Sequence, residues 1–353
     1  MLRAGHRMKV VSELLGHSDV SITLQTYDHV ESDTLCVPTA TPLLSGIAPD
    51  TISAMNPVAL YFASGESLYL GVAVLALAIF VSPFLTRAGL LRLRNAGAWL
   101  ALAMIVMACP PFSMIVDLIL LAVFLLWFIA SNRAGVTQTS VRLQRGSTIV
   151  LVMLLLVFTA VEFSHRRMPV ITGKPSDHLV VLGDSISSGI DSRVPPWPLV
   201  LQQTSGVSVT NLARPGAQVS EGLSMAEKLT PEDSVVLIEI GGNDLLMGVP
   251  SDEFGKALET LLSRVTAPGR TVVMFELPLL PNKIAYGQIQ RRLAAKYGVS
   301  LIPKRCFTNV IGDSSATSDG LHLSDSGARG MAALVTRVLS PVLKSTSSPT
   351  SNP

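Results

Sequence analysis

Between residues 67 and 163 charged side chains become sparse while apolar ones accumulate. A stretch of this kind has few places to go. About 20 apolar residues in a helix cross a ~30 Å hydrocarbon core. "SLYLGVAVLALAIFVSPFL" (67–85) carries no charge and is long enough. "AGAWLALAMIVMAC" (96–109) is shorter, and Pro110 and Pro111 break it before "SMIVDLILLAVFLLWFIA" (113–130). "STIVLVMLLLVFTAVEF" (147–163) is the last run. Proline interrupts a helix without deciding whether the chain reverses. The middle pair therefore fits a tight hairpin or one kinked segment, and the region holds three or four spans. Any one run would pass for a buried core helix, but four in succession ask for a membrane.

The arginines then suggest an orientation. Arg87, Arg92 and Arg94 follow the first run, and Arg133, Arg142 and Arg145 precede the last. With four spans these six share one side, the cytoplasmic one, and the C-terminal part faces outside. Arg166 and Arg167 oppose this but are outnumbered. With three spans the charges no longer decide. Residues 1–30 contain no apolar core of a cleavable signal peptide, so the first span is expected to act as an uncleaved anchor. Asp117 lies inside an apolar run, two turns from the proline pair, and is read as interfacial.

The whole chain is 48 % hydrophobic and only 15 % charged, against about 25 % charged in ordinary soluble proteins. Its formal net charge of +2 supplies no field to draw in nucleic acid. Cys36, Cys109 and Cys306 lie far apart, with no paired spacing, so neither a disulfide framework nor a zinc site is supported. No metal or organic cofactor is expected.

Residues 168–345 read differently. Apolar strands at 179–183, 207–213, 235–241, 271–277 and 299–304 alternate with amphipathic stretches at 197–204, 219–229, 252–265, 286–297 and 324–343. Strands that apolar need cover on both faces, which calls for a parallel sheet between helix layers. The expected fold class is α/β: a three-layer α/β/α, flavodoxin-like domain with a five-stranded parallel sheet, preceded by the helical membrane region. The tail at 346–353 has little to bury and is expected to be disordered.

Ligands in such sheets bind at the carboxyl ends of the strands. Asp184 and Ser185 follow the first strand in "VVLGDSISSG"; Asn211, Arg214 and Gly216 follow the second; "GGND" brings Gly242, Asn243 and Asp244 after the third. "SDGLHLS" places Asp319 and His322 before the last helix. Each has an ordinary explanation: Ser185 as a helix cap, the glycines as turn residues, Asp319 and His322 as a local pair. Together they comprise a nucleophile, a base, an orienting acid and an amide donor. Around Ser185 there is no GxSxG elbow of the α/β-hydrolase type, nor GxGxxG spacing for a dinucleotide. His165 and His178 flank a span and a strand and are read as structural.

These four blocks, in this order, resemble those of the SGNH, or GDSL-type, esterase/lipase hydrolases. "LIEIGGNDLLMG" and "DGLHLSDSGARGMA" are most similar to the bacterial periplasmic thioesterase/lysophospholipase subgroup. The resemblance covers about residues 179–343 and implies the roles. Ser185 attacks the acyl carbonyl, His322 is its base, and Asp319 fixes the imidazole tautomer. The Ser185 and Gly216 backbone N–H groups and the Asn243 amide form the oxyanion hole. Leu245, Leu246, Met247, Leu279 and Leu280 rim the site as an acyl groove or pack into the core. The expected function is a membrane-anchored carboxylesterase, lysophospholipase or thioesterase acting through an acyl-enzyme on a small-molecule or lipid ester. The expected place is a bacterial inner membrane, with the catalytic part outside the cytoplasm. Alternatives are an O-acetylesterase acting on envelope polysaccharide, or a non-catalytic membrane binding protein.

One further resemblance lies at the other end. "LLGHSDVSITLQTYDHV" (14–30) resembles the C-terminal end of tyrosine recombinases of the phage-integrase class, with His17 matching a phosphate-activating residue and Tyr27 the nucleophile. The family's arginines and HxxR box do not accompany it. A lone tyrosine cannot neutralise a phosphorane, so residues 1–30 are read as a remnant, 31–66 as a linker and Met55 as an alternative start.

Overall fold

The computed structural model describes residues 57–344 except 86, 109, 111, 134–137, 280–282 and 314. The recombinase-like segment, most of the expected linker and the C-terminal tail lie outside the described residues. The end of that linker is not a linker. Pro57–Ala63 forms a helix, α1. Proline suits a first helical position, where its missing N–H costs nothing. Leu60 and Ala63 then fall on one buried face.

Four long apolar helices follow: α2 (Ser67–Val81, prolonged by a 3₁₀ turn Ser82–Phe84), α3 (Ala88–Met107), α4 (Met114–Asn132) and α5 (Gln138–Arg166). By length and composition each is able to cross a membrane. The proline pair separates two helices that fold back on each other. Trp99 of α3 packs edge-on against Phe124 and Phe128 of α4, with ring centroids 5.0 and 5.5 Å apart. Trp99 and Phe124 lie at similar distances on either side of the prolines, which only a hairpin allows. α3 begins eight residues before the expected 96, so Arg92 and Arg94 sit inside it rather than in a loop. Arg94 is buried and donates to Ser82 Oγ (2.9 Å) and Asn132 Oδ1 (3.0 Å), pinning three helix ends together. Ser67 Oγ donates to the Met104 carbonyl at the opposite end of the bundle. The outward surface stays apolar: Leu77, Phe80, Leu100, Met114, Ile149 and Leu156 are each at least 60 % exposed. A water-facing surface rarely carries so wide an apolar patch.

The remainder is a three-layer α/β/α unit. β1 (His178–Gly183), β2 (Ser208–Asn211), β3 (Val235–Glu239), β4 (Thr271–Phe275) and β5 (Ser300–Ile302) form one parallel sheet in the order β2-β1-β3-β4-β5. Alternate residues of each strand serve opposite cores. Val180, Leu182, Val236, Ile238 and Met274 pack against Met225 of α8 (Gly222–Ala226), Phe254, Leu258 and Leu261 of α10 (Ser251–Val265) and Leu293 of α11 (Ile284–Tyr297). Leu179, Val181, Leu237 and Val273 pack against Trp197 and Leu201 of α7 (Trp197–Ser205), and Met331 and Val335 of α13 (Asp325–Leu339). Three short helices complete the unit: α6 (Ser185–Ser188), α9 (Gly242–Met247) and α12 (Lys304–Ile311). The expected second to fifth strands are each longer than those observed: the edge strand β2 is mostly exposed, β3 ends before Gly241 with its φ of +112°, β4 ends at Phe275, and residues after Ile302 turn into α12.

A buried ion triad joins the sheet unit to the bundle. Arg291 of α11 reaches Glu162 of α5 and Glu276, just past β4, each at 2.6 Å. Lys304 Nζ approaches the Ala108 carbonyl, Gln288 donates to the Phe112 carbonyl, and Arg305 to the Arg166 carbonyl. All four contacts use the bundle end remote from Arg87, Arg94, Arg133 and Arg142.

Candidate active site

β1 ends at Gly183, and the chain turns at once into α6. A Cβ at Gly183 would lie 2.8 Å from Ser187 and 2.9 Å from the Glu239 carbonyl, so only glycine lets the turn sit this close to β3. Asp184 caps α6, its Oδ1 accepting from the Ile186 N–H at 3.0 Å. The cap is thus the neighbour of Ser185, which leaves the Ser185 hydroxyl free of that duty. Ser185 is half-buried and faces two hollows. One is a small cleft that it shares with His322 and Leu323. The other is an apolar cavity of about 160 Å³ that it shares with Asn243, Leu245 and Leu277.

His322 is buried and firmly held. Its Nδ1 lies 2.6 Å from Asp319 Oδ2, while the Leu321 and His322 backbone N–H groups donate to Oδ1 at 2.9 and 2.7 Å. Burial pushes the Asp319 carboxyl up, but the His322 ring and the two backbone N–H groups pull it down further, to about 2. Asp319 is therefore ionised at neutral pH. An ionised partner makes Nδ1 the protonated nitrogen and leaves Nε2 to act as a base. Among the described residues no hydrogen bond joins Ser185 Oγ to His322, although both line one cleft. Such pairs often close only around substrate.

The second and third blocks meet beneath Ser185. Asn243 Nδ2 donates to Asp184 Oδ2 at 3.2 Å and to the Ala217 carbonyl at 3.0 Å. This ties Asp184, the loop bearing Gly216, and α9 into one network. Gly216 has φ +73° and no heavy atom within 4 Å of where a side chain would start, so its backbone is open to a ligand. Asp244 turns away from the site and accepts from the Val219 N–H at 3.0 Å.

The expected groove residues separate. Leu245 and Leu246 line the cavity. Leu279 is fully buried in the core with Leu277 and Tyr286, Met247 does not line the cavity, and Leu280 lies outside the described residues. α9 is a helix of six residues, and successive residues on it point in different directions, so they cannot all face one hollow. His165 hydrogen-bonds within α5, and His178 pairs with Asp233 at 3.5 Å, both away from Ser185.

Sequence reasoning missed Glu239. It ends β3 with its side chain buried, accepts from Ser187 Oγ at 2.8 Å, and Ser187 in turn accepts from Trp197 Nε1 at 3.1 Å. Burial raises the Glu239 carboxyl well above its ordinary range, and the adjacent Asp184 charge raises it further. Burial also raises Asp184, while its Ile186 bond and the His322 charge restrain it. Of the two carboxyls, Glu239 is pushed up by its neighbour's charge as well as by burial. A single acidic residue inside the apolar run "VVLIEIG" was the available signal.

A protein-family model described as "GDSL-like Lipase/Acylhydrolase family" matches residues 181–329, which include Ser185, Gly216, Asn243, Asp319 and His322. An arylesterase of Vibrio mimicus is 30 % identical over 163 residues, covering 42 % of this chain and 80 % of that protein. The "Thioesterase 1/protease 1/lysophospholipase L1" of Escherichia coli is 29 % identical over 157 residues, covering 42 % and 76 %. The crystal structure of TesA aligns over 47 % of this chain and 99 % of its own, at 28 % identity and a TM-score of 0.41.

Proposed function

The chain belongs to the GDSL-like lipase/acylhydrolase family, and from that premise we propose that it is a membrane-anchored serine ester hydrolase with Ser185, His322 and Asp319 as its triad. The observation that carries this reading is the placement of Ser185 and His322 on one cleft, with His322 Nδ1 held by an ionised Asp319. In the reaction His322 Nε2 takes the Ser185 hydroxyl proton as Oγ attacks the acyl carbonyl. The oxyanion is met by the Ser185 and Gly216 N–H groups, with Asn243 turning its amide from the Ala217 carbonyl to the oxyanion. The imidazolium returns its proton to the leaving alcohol or thiol, leaving an acyl-serine. Water, deprotonated by the same imidazole, then releases the carboxylic acid and restores Ser185. No step in this scheme calls on a cofactor.

The anchor reading rests on the four apolar helices and their lipid-like outer surface. The α3–α4 hairpin favours four spans over three. Then Arg87, Arg92, Arg94, Arg133, Arg142 and Arg145 share one side, and the sheet unit docks on the other. By the positive-inside rule that unit lies outside the cytoplasm. The apolar cavity favours acyl chains longer than acetyl, and with them a lipid or thioester substrate over acetylated polysaccharide.

Detergent-solubilised full chain should hydrolyse p-nitrophenyl esters and be labelled by a fluorophosphonate, and Ser185→Ala should abolish both. Labelling that survives the substitution would refute the assignment of the nucleophile. A phosphatase reporter at the C-terminus, active only outside the cytoplasm, should be active; silence there would overturn the topology.

A further inference from the structure

The cavity beside Ser185 is not closed by the hydrolase fold alone. Ala59, Leu60 and Ala63 of α1 line it together with Ser185, Asn243, Leu245, Leu277 and Phe307. α1 lies outside the residues matched by the family model, 181–329. Its inner face is nearly sealed, with Leu60 8 % and Ala63 5 % exposed, while Val58 and Tyr61 on the outer face are open. Leu60 rests near the end of α12, 3.6 Å from where a side chain at Gly312 would start. Only Ser64, Gly65 and Glu66 separate α1 from the first apolar helix. Its turn is fixed by Ser64, whose hydroxyl donates to the Tyr61 carbonyl and accepts from the Glu66 N–H. The wall of the cavity is thus the membrane anchor's own leading helix.

We infer that α1 is the specificity-determining wall of the acyl site and sets the length of acyl chain that the enzyme accepts. The inference rests on the proposed function, because it takes Ser185 as the point where the acyl carbonyl is held. From that point an apolar chain has two directions. The cleft towards His322 is narrow and must pass the leaving group. The larger cavity is apolar, and Leu60 and Ala63 form part of its wall. Burying a chain against these side chains is favourable in proportion to the apolar area removed from water. A short acyl group does not reach them, so α1 acts on long chains selectively.

The test compares p-nitrophenyl laurate with p-nitrophenyl acetate, using full chain in detergent micelles. Leu60→Trp fills the cavity and should lower the laurate-to-acetate ratio of kcat/KM by about tenfold or more, a factor that reports differential transition-state binding. Leu60→Ala lengthens the cavity and should raise the ratio for palmitate over laurate. Ratios unchanged in both variants would overturn the role of α1. If neither variant folds, wild-type protein still decides. A fluorophosphonate carrying a decyl chain tipped with a diazirine is attached to Ser185 and irradiated. Cross-links should fall in the peptide containing residues 57–63, and cross-links confined to residues 168–344 would overturn the inference. Failure of the function itself looks different: wild-type protein would then neither cleave the esters nor take up the probe.

Discussion

Ser185 needs little help from its own surroundings to be positioned, because Asp184 does the capping that a serine at a helix start would otherwise do. The price of that division of labour is a carboxylate buried beside Glu239. A Glu whose folded-state pKa is raised adds stability below its ordinary value of about 4.5, and that contribution is lost as pH rises towards the folded value. Glu239→Gln keeps the hydrogen bonds of the protonated form without the need for a proton. Its unfolding free energy should therefore gain on that of wild type as pH rises above about 4.5, by up to about 1.4 kcal/mol per pH unit for one group until the folded value is passed. A difference that stays constant above that pH, measured by thermal unfolding, would show that the Glu239 pKa is not raised in the folded protein. Asp319 has the opposite sign. Its lowered pKa makes its stabilisation present above the ordinary value of 3.8 and lost only as pH falls towards about 2. Asp319→Asn would point an amide at His322 Nδ1 and impose the wrong tautomer. The expected loss is about 10³–10⁴-fold in kcat, by analogy with serine proteases, with the Ser185 backbone donors intact. That Ser185, His322 and Asp319 come together was legible, because the three stand in sequence blocks at predicted strand and helix ends. Glu239 was not, because its raised pKa depends on burial between β3 and α6, which no spacing reveals. The commitment of Asn243 to Asp184 and Ala217 was equally hidden, since it requires three distant segments to meet.

Among the elements, β1 was readable to within a residue and β3 to within two. Their unbroken apolar runs had no other use than a strand covered twice. Leu237 shows what that cover is worth. It is fully buried at the sheet centre, and Leu237→Ala should cost about 2–5 kcal/mol by leaving a cavity that its neighbours cannot fill. A loss below 1 kcal/mol in chemical denaturation, by order of magnitude, would mean that the two helix layers collapse around the gap. The edge strand β2 and the short helix α9 were blurred, because exposed strands and helices under two turns carry weak periodicity, and α12 was missed because its first residue was taken into the strand before it. α1 was hidden for a different reason. Seven residues are too few to show a pattern, and Pro57 beside a Pro- and Thr-rich stretch reads as linker. Its helix is stabilised by packing on α12 and the cavity, which are more than a hundred residues away in the chain.

For the molecule as a whole, the apolar bundle and the sheet unit share one buried ion cluster among the contacts that join them. Arg291 neutralises Glu162 from the bundle and Glu276 from the sheet. Removing it leaves two buried carboxylates opposed. Arg291→Met should destabilise by about 3–5 kcal/mol, the usual result of stripping one partner from a buried pair. Replacing all three by Met, Leu and Gln should recover much of that loss. Two separate thermal transitions in Arg291→Met, where wild type shows one, would indicate that the triad is what makes the halves unfold together. The four-helix count was legible only as three or four, because Pro110–Pro111 does not encode a reversal. The Trp99–Phe124 contact does.

The docking of the sheet unit by Arg291, Lys304, Gln288 and Arg305 also has a kinetic meaning. In the proposed topology it fixes the catalytic serine at one height and one bearing above the bilayer. Such an enzyme searches a plane instead of a volume, and its encounter rate follows the mole fraction of ester in the surface. Diluting a long-chain ester with inert lipid in the same vesicles should slow turnover in proportion. Adding buffer to those vesicles should leave the rate per enzyme unchanged.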